Sequence, residues 1–593
     1  MRTRKAKDRA RLMQAALGRI PCDLTIGNVQ FFNVITGEIY PASVDILDGF
    51  VVLVREEGQK TILPSRSYYD GQGRYLIPGY IDTHMHIEST MMIPENLARA
   101  ILPWGTTTVC TDPHEIGNVM GLDGVRFMLE NAKKSKLRQY VLAPSCVPSL
   151  PGMENAGAEF HAEEVGELLD MDDVVGIAEI MDYVGVMHDS ERMHTIIDEG
   201  LRRGMFLQGH APYCFGRELA AYRIGGPVSD HESVNADEVR AKLRAGMHIN
   251  LRASSLIDNL SFLVDGCKDQ PWRDFVSVCT DDVHAKDLLT VGHINNVVRK
   301  AVASGLDGRE VVKMATLNAA REYGFDDLGA IAPGYIADIQ LVDALDGSRP
   351  KAVFTEGVLV AEDGKYLGGD CKTADYDLPN TVNMPQITGP ESFVLRVPEG
   401  YTGDTIRVNV MVSEDGNRIL RHVEPVELPV RDGAVDISGD PTLVFVCCAN
   451  RYGRGGKTIA VYRDFGLERG ALASTVSHDS HNFTVSYHDP KDAFRAAEIL
   501  RACGGGVCVI DGAEETHIAL PAAGLMSQKP CAEVADEIAA VQAALDAISG
   551  GRLTLLATAV MALPVLPSVV ITDMGLVNGT NQTFVPVFAD TEA

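Results

Sequence analysis

Residues 76–88 constrain this chain most. They run Leu76-Ile-Pro-Gly-Tyr-Ile-Asp-Thr-His-Met-His-Ile-Glu88. The apolar part predicts a buried strand over 76–81, with His84 and His86 at its carboxyl end. Alternate side chains of a strand share a face, so the two imidazoles would stand side by side. A neutral imidazole pair suits a divalent cation of borderline hardness. So short a motif also arises by chance, so the rest of the chain has to carry the argument.

A length of 593 residues suits several domains. The chain is 46% hydrophobic and 23% charged, as an ordinary globular protein is. No apolar run approaches the ~20 residues of a membrane helix, so no membrane partner is expected. The basic stretch from Met1 to Arg11 has no apolar signal core behind it and reads as a short amphipathic leader helix. The twelve cysteines follow no disulfide-scaffold spacing and fit a reducing cytoplasm. A net charge of −28 repels phosphate backbones, which disfavours nucleic acid as a partner.

Residues 21–72 are short alternating runs broken by turns, with Asp48-Gly49 a hairpin signal. Residues 331–361 resume that character. The two pieces, within 1–75 and 330–375, are expected to form one small β-sandwich assembled from both flanks. Between them, residues 76–329 alternate strand and helix through eight units, which predicts a (β/α)8 TIM-type barrel. An open doubly wound sheet is the alternative, but it wants a glycine-rich loop after its first strand, and Asp82-Thr-His-Met-His86 is not one. Residues 376–593 change character again and predict a C-terminal α+β domain, with helices over 489–503 and 532–548.

In such a barrel the chemistry sits at the strands' carboxyl ends. Strand one offers His84 and His86, strand two His114 and Glu115, strand four Glu179, strand five His210, strand six His231 and strand eight Asp281. That is a two-metal set. His84, His86 and Asp281 would hold one cation and His210 and His231 the other, with Glu179 bridging. Such a pair makes a nucleophile from water at neutral pH. Any one of these residues has a structural use; six coincidences are harder to dismiss. Other motifs fail: His86 and Glu88 lack the Pro-Cys-x-x-Cys of zinc nucleobase deaminases, and Arg451 stands where a phosphate loop ending Gly456-Lys457-Thr458 needs its first glycine.

At this point the chain resembles the amidohydrolase superfamily and, within it, the adenine deaminases. The resemblance rests on residues 78–89, Thr111-Asp-Pro-His-Glu115, Gly176-Ile-Ala-Glu179, Gly209-His-Ala-Pro212, Cys279-Thr-Asp-Asp282 and Ser477-His-Asp-Ser-His-Asn482. It implies hydrolysis of adenine to hypoxanthine and ammonia by a binuclear manganese or iron(II) centre, in a homodimer. Asp281 would pass the water proton to the leaving amine. His114 and Glu115 would protonate the substrate or support the ligands. His478, Asp479, His481 and Asn482 would fold over the barrel mouth and meet the purine edge. Another hydrolase of the superfamily, acting on a cyclic amide or a different aminated base, is the alternative.

Overall fold

The computed structural model describes residues 6–59, 62–255, 257–369, 373–374, 376–414 and 417–589. The leader forms a helix, Ala6–Ala16. Both flanks of the barrel then meet in one nine-stranded sheet. Asp48 and Gly49 both take positive φ, 51° and 82°, as a two-residue hairpin turn requires. Tyr75–Pro78 pairs antiparallel with Ile339–Val342, which joins the N-terminal strands to the later ones. The sheet curls on itself. Tyr69 meets Phe354 edge-on at 5.2 Å between centroids, and its hydroxyl donates to Glu362 at 2.8 Å. Phe31, Val44, Leu76 and Ile339 fill the enclosed core.

The run expected as one strand over 76–81 is in fact divided at Gly79. Tyr75–Pro78 belongs to the flanking sheet, whereas barrel strand one is Tyr80–His86. Gly79 is required there, because a Cβ would overlap the Thr107 side chain. Strands Thr106–Thr111, Arg138–Ala143, Val174–Ile180 and Phe206–Gly209 follow in parallel order. Strand six is only Ser229–Asp230, strand seven is His248–Arg252, and strand eight is Val276–Cys279 continued by Asp281–Asp282. The ring closes where Asp281 and Asp282 pair with Met85 and His86, and where Val228 N donates to Leu207 O at 3.0 Å. The fold is therefore a TIM-type barrel with additional sheets.

Short helices Tyr183–Met187, Leu260–Cys267 and Ala285–Thr290 add to the eight strand–helix units; each carries little periodic pattern. The helix expected over 123–132 begins earlier, at His114, and bends where Gly121 takes φ 62°. His114 and Glu115 thus sit in the first turn of a helix beginning at the rim.

The C-terminal sheet has nine strands. Helix Pro490–Cys503 covers one face; helix Cys531–Ser549 lies on the other and packs with Met92, Leu97 and Leu288 of the barrel. The strand before the 477–482 loop is Ala471–Ser474. Ser474 Oγ accepts from Val476 N at 2.9 Å and turns the chain out of the sheet. Among the described residues, no helix is long and apolar enough to cross a membrane.

A two-residue strand six needs outside support. Lys242, fully buried on helix Ala236–Arg244, donates to Asp230 Oδ1, Glu238 Oε1 and Ala211 O, each at 2.7 Å. It ties together the neighbours of His231 and His210. Lys242→Met leaves two buried carboxylates unpaired and is expected to destabilise the protein by about 3–5 kcal/mol. Chemical denaturation checks this; an unchanged curve would show that the three groups do not act together.

Candidate active site

Strand one places His84 and His86 on one face, with their Nε2 atoms 3.1 Å apart. The proton of each ring is committed elsewhere. His86 Nδ1 donates to the Asp112 carbonyl at 3.1 Å. Gln208 Nε2 donates to the Thr83 carbonyl at 3.3 Å, which leaves Gln208 Oε1 to accept from His84 Nδ1 at 2.8 Å. In the neutral rings both Nε2 atoms therefore carry lone pairs, and the pairs converge. A cation relieves that repulsion, and hydrogen-bonded imidazoles of this kind are the usual metal ligands.

The remaining donors complete the set. Asp281 Oδ1 lies 3.4 Å from His84 Nε2 and 3.3 Å from His86 Nε2. Glu179 divides its oxygens: Oε1 is 3.4 Å from His86 Nε2, while Oε2 meets His210 Nδ1 and stands 3.2 Å from His231 Nε2. His231 stacks on His84 at 3.8 Å between centroids, and both its ring nitrogens are buried without a hydrogen bond. Its ligand atom lies within 4.8 Å of those of His84 and Asp281, and likewise of those of Glu179 and His210. The strand ends thus bring all six candidate ligands into one cluster able to hold metal.

Local structure holds these groups in place. Asp281 takes φ 61°, a left-handed conformation that aspartate tolerates better than most residues, and this breaks strand eight. Asp82 is locked between strands one and eight, accepting from Thr280 Oγ1 at 2.5 Å and from His84 N at 3.2 Å. Burial pushes its carboxyl up to about 7 despite these donors. Glu179 is also buried, but His210 and His231 outweigh the desolvation and hold it well below the usual carboxylate range.

A second cluster joins the barrel to the C-terminal region. Glu115 sits between two histidines of the 477–482 loop, with Oε1 2.6 Å from His478 Nδ1 and Oε2 against His481 Nε2. His481 Nδ1 accepts from Ser477 N at 3.1 Å, so its Nε2 carries the proton donated to Glu115. His114 stands between Asp112 Oδ2 at 3.0 Å and Asp479 Oδ1 at 3.5 Å. Burial opposes charge on His478, but Glu115 outweighs it and pushes the imidazolium up to about 9. Burial likewise opposes charge on Glu115, and His478, His481 and His114 hold it well below its ordinary range.

These residues line a cavity of about 340 Å³, at the lower end of the usual size for small-molecule sites. His86, Glu179, His210 and Asp281 form its floor; Leu420, Val560, Leu563, Leu566 and Pro567 form an apolar roof. Of the four loop residues, His478 and Asp479 reach the cavity. His481 stands behind Glu115. Asn482 faces away, accepting from Arg451 N at 3.3 Å and donating to Asn155 O at 2.8 Å. Of the further lining residues, Glu232 follows His231 at the end of strand six, whereas Arg252 carries no signal of metal chemistry in the sequence. Arg252 ends strand seven and so stands on the same rim as the ligand candidates.

The amidohydrolase family matches residues 75–360, and the adenine deaminase C-terminal domain matches residues 418–583. Adenine deaminase 2 of Carboxydothermus hydrogenoformans is 37% identical over 580 residues, covering 97% of this chain and 99% of its own. The adenine deaminase of Methanothermobacter thermautotrophicus is 38% identical over 556 residues, covering 93% and 97%. That of Ruegeria sp. TM1040 is 36% identical over 590 residues, covering 97% and 96%. The chain belongs to the adenine deaminase family of amidohydrolases.

Proposed function

We infer that this protein hydrolyses adenine to hypoxanthine and ammonia. The observation that carries the reading is the pair of converging imidazole lone pairs, 3.1 Å apart, beneath a cavity roofed by the C-terminal region. His84, His86 and Asp281 would hold one cation and His210 and His231 the other, with Glu179 facing both. Two divalent cations so held act as Lewis acids and lower the pKa of water to about 7. A nitrogen and oxygen donor set without thiolate suits manganese or iron(II).

The chain's own groups would then manage the protons. Asp281 accepts one from the attacking water and returns it to the departing amino nitrogen. Attack at C6 also calls for a proton on the neighbouring ring nitrogen. Glu115 is occupied by two histidines, so His478 is the acid that meets the cavity, with Glu115 keeping it charged. His114 orients Asp479, and His481 and Asn482 hold the loop. The cysteine spacing supports a cytoplasmic enzyme and the family a homodimer.

Incubation with adenine is expected to give hypoxanthine and ammonia in equal amounts, and metal analysis about two equivalents per chain. Hydrolysis of a cyclic amide with adenine left untouched would favour the broader superfamily reading. Asp281→Asn should keep the fold and lose turnover by ~10²–10⁴-fold; full activity would reject the base.

His478 is charged below about pH 9, so kcat/KM should fall as pH rises through that value, and His478→Gln should abolish that limb. Stability carries the same sign. The His478 contribution is complete below the ordinary histidine value of ~6.5 and lost as pH rises to about 9. A profile identical in wild type and variant would remove His478 from the reaction.

A further inference from the structure

Arg252 is 1% exposed and lines the cavity. Its Nη1 donates to Asp281 Oδ2 at 2.9 Å and also meets Glu232 Oε1. Its Nε and Nη2 are buried and make no hydrogen bond. A clamp on Asp281 would use Nη1 alone. The remaining donors are a cost to the folded protein unless an acceptor enters the cavity.

The reaction limits what that acceptor can be. With C6 over Asp281 and the histidines, the purine offers N1 on one side of C6 and N7 on the other. N1 has to receive a proton as C6 becomes tetrahedral. A guanidinium keeps its protons, whereas an imidazolium releases one. His478, docked on strand two through Glu115, and Arg252, on strand seven, approach from either side of strands eight and one. Building on the adenine reading, we propose that Arg252 donates a hydrogen bond to N7 of the purine and thereby sets both its orientation and the preference for purines over single-ring aminated bases. Glu232 and Asp281 hold the guanidinium in the plane this requires. A site built around a hydrogen bond rejects strongly an analogue that lacks the acceptor.

The test pairs a substrate change with a side-chain change. kcat/KM is measured for wild type, Arg252→Met and Arg252→Lys on adenine, 7-deazaadenine and 3-deazaadenine. The wild type should disfavour 7-deazaadenine by about 100-fold or more. Arg252→Met also loosens Asp281 and should slow both substrates, but it should cost adenine about 100-fold more than 7-deazaadenine, so that the ratio collapses. The ratio for 3-deazaadenine should be the same in all three proteins. An equal 7-deaza penalty in wild type and Arg252→Met would overturn the proposal. Should the variants not fold, inhibition of the wild type by hypoxanthine and 7-deazahypoxanthine decides: equal inhibition constants would overturn it too. No hydrolysis of adenine by the wild type would instead count against the adenine reading itself.

Discussion

Two imidazole nitrogens held 3.1 Å apart at the end of one strand are the constraint on which this structure turns. His84 and His86 each spend their N–H on the protein, on Gln208 and on the Asp112 carbonyl. What remains are two lone pairs aimed at one point in a buried site. Carboxylates then gather around that point, Asp281 from strand eight and Glu179 from strand four. Negative charge so concentrated is tolerable beside divalent cations and costly without them. Metal loading and the integrity of the barrel rim are therefore coupled.

The barrel alone does not complete the site. Its rim supplies the candidate metal donors, whereas the roof and one of the cavity's acid groups come from residues 420–567, beyond the last barrel strand. Glu115 is the joint. One carboxylate of the barrel accepts from two histidines of the C-terminal loop, and the surrounding core is shared by Met92 and Leu97 with helix Cys531–Ser549. Apolar packing supplies most of that association; the Glu115 contacts fix its register.

The sequence disclosed the cluster of candidate donors well, for a physical reason. Barrel strands end at the active face, and donor residues there are rare enough to be noticed one strand at a time. The division at Gly79 was hidden, because the apolar run from Leu76 to Ile81 is continuous and its partner strand lies far away in sequence. The loop at 477–482 stood out as polar, but which side chains face inward depends on backbone geometry: His481 takes φ 49° and turns behind Glu115. Arg252 bears no such signal, because a guanidinium is not a metal donor.

The shared flanking sheet has a consequence for synthesis. Tyr75–Pro78 cannot gain its partner until Ile339–Val342 has been made, about 260 residues later. At ~5–20 residues per second that interval lasts on the order of 10–50 s. Throughout it the N-terminal strands leave the ribosome with an open edge, and an open edge invites pairing with other chains. Slow translation across the barrel would lengthen that exposure, so the interval of greatest risk coincides with synthesis of the barrel itself.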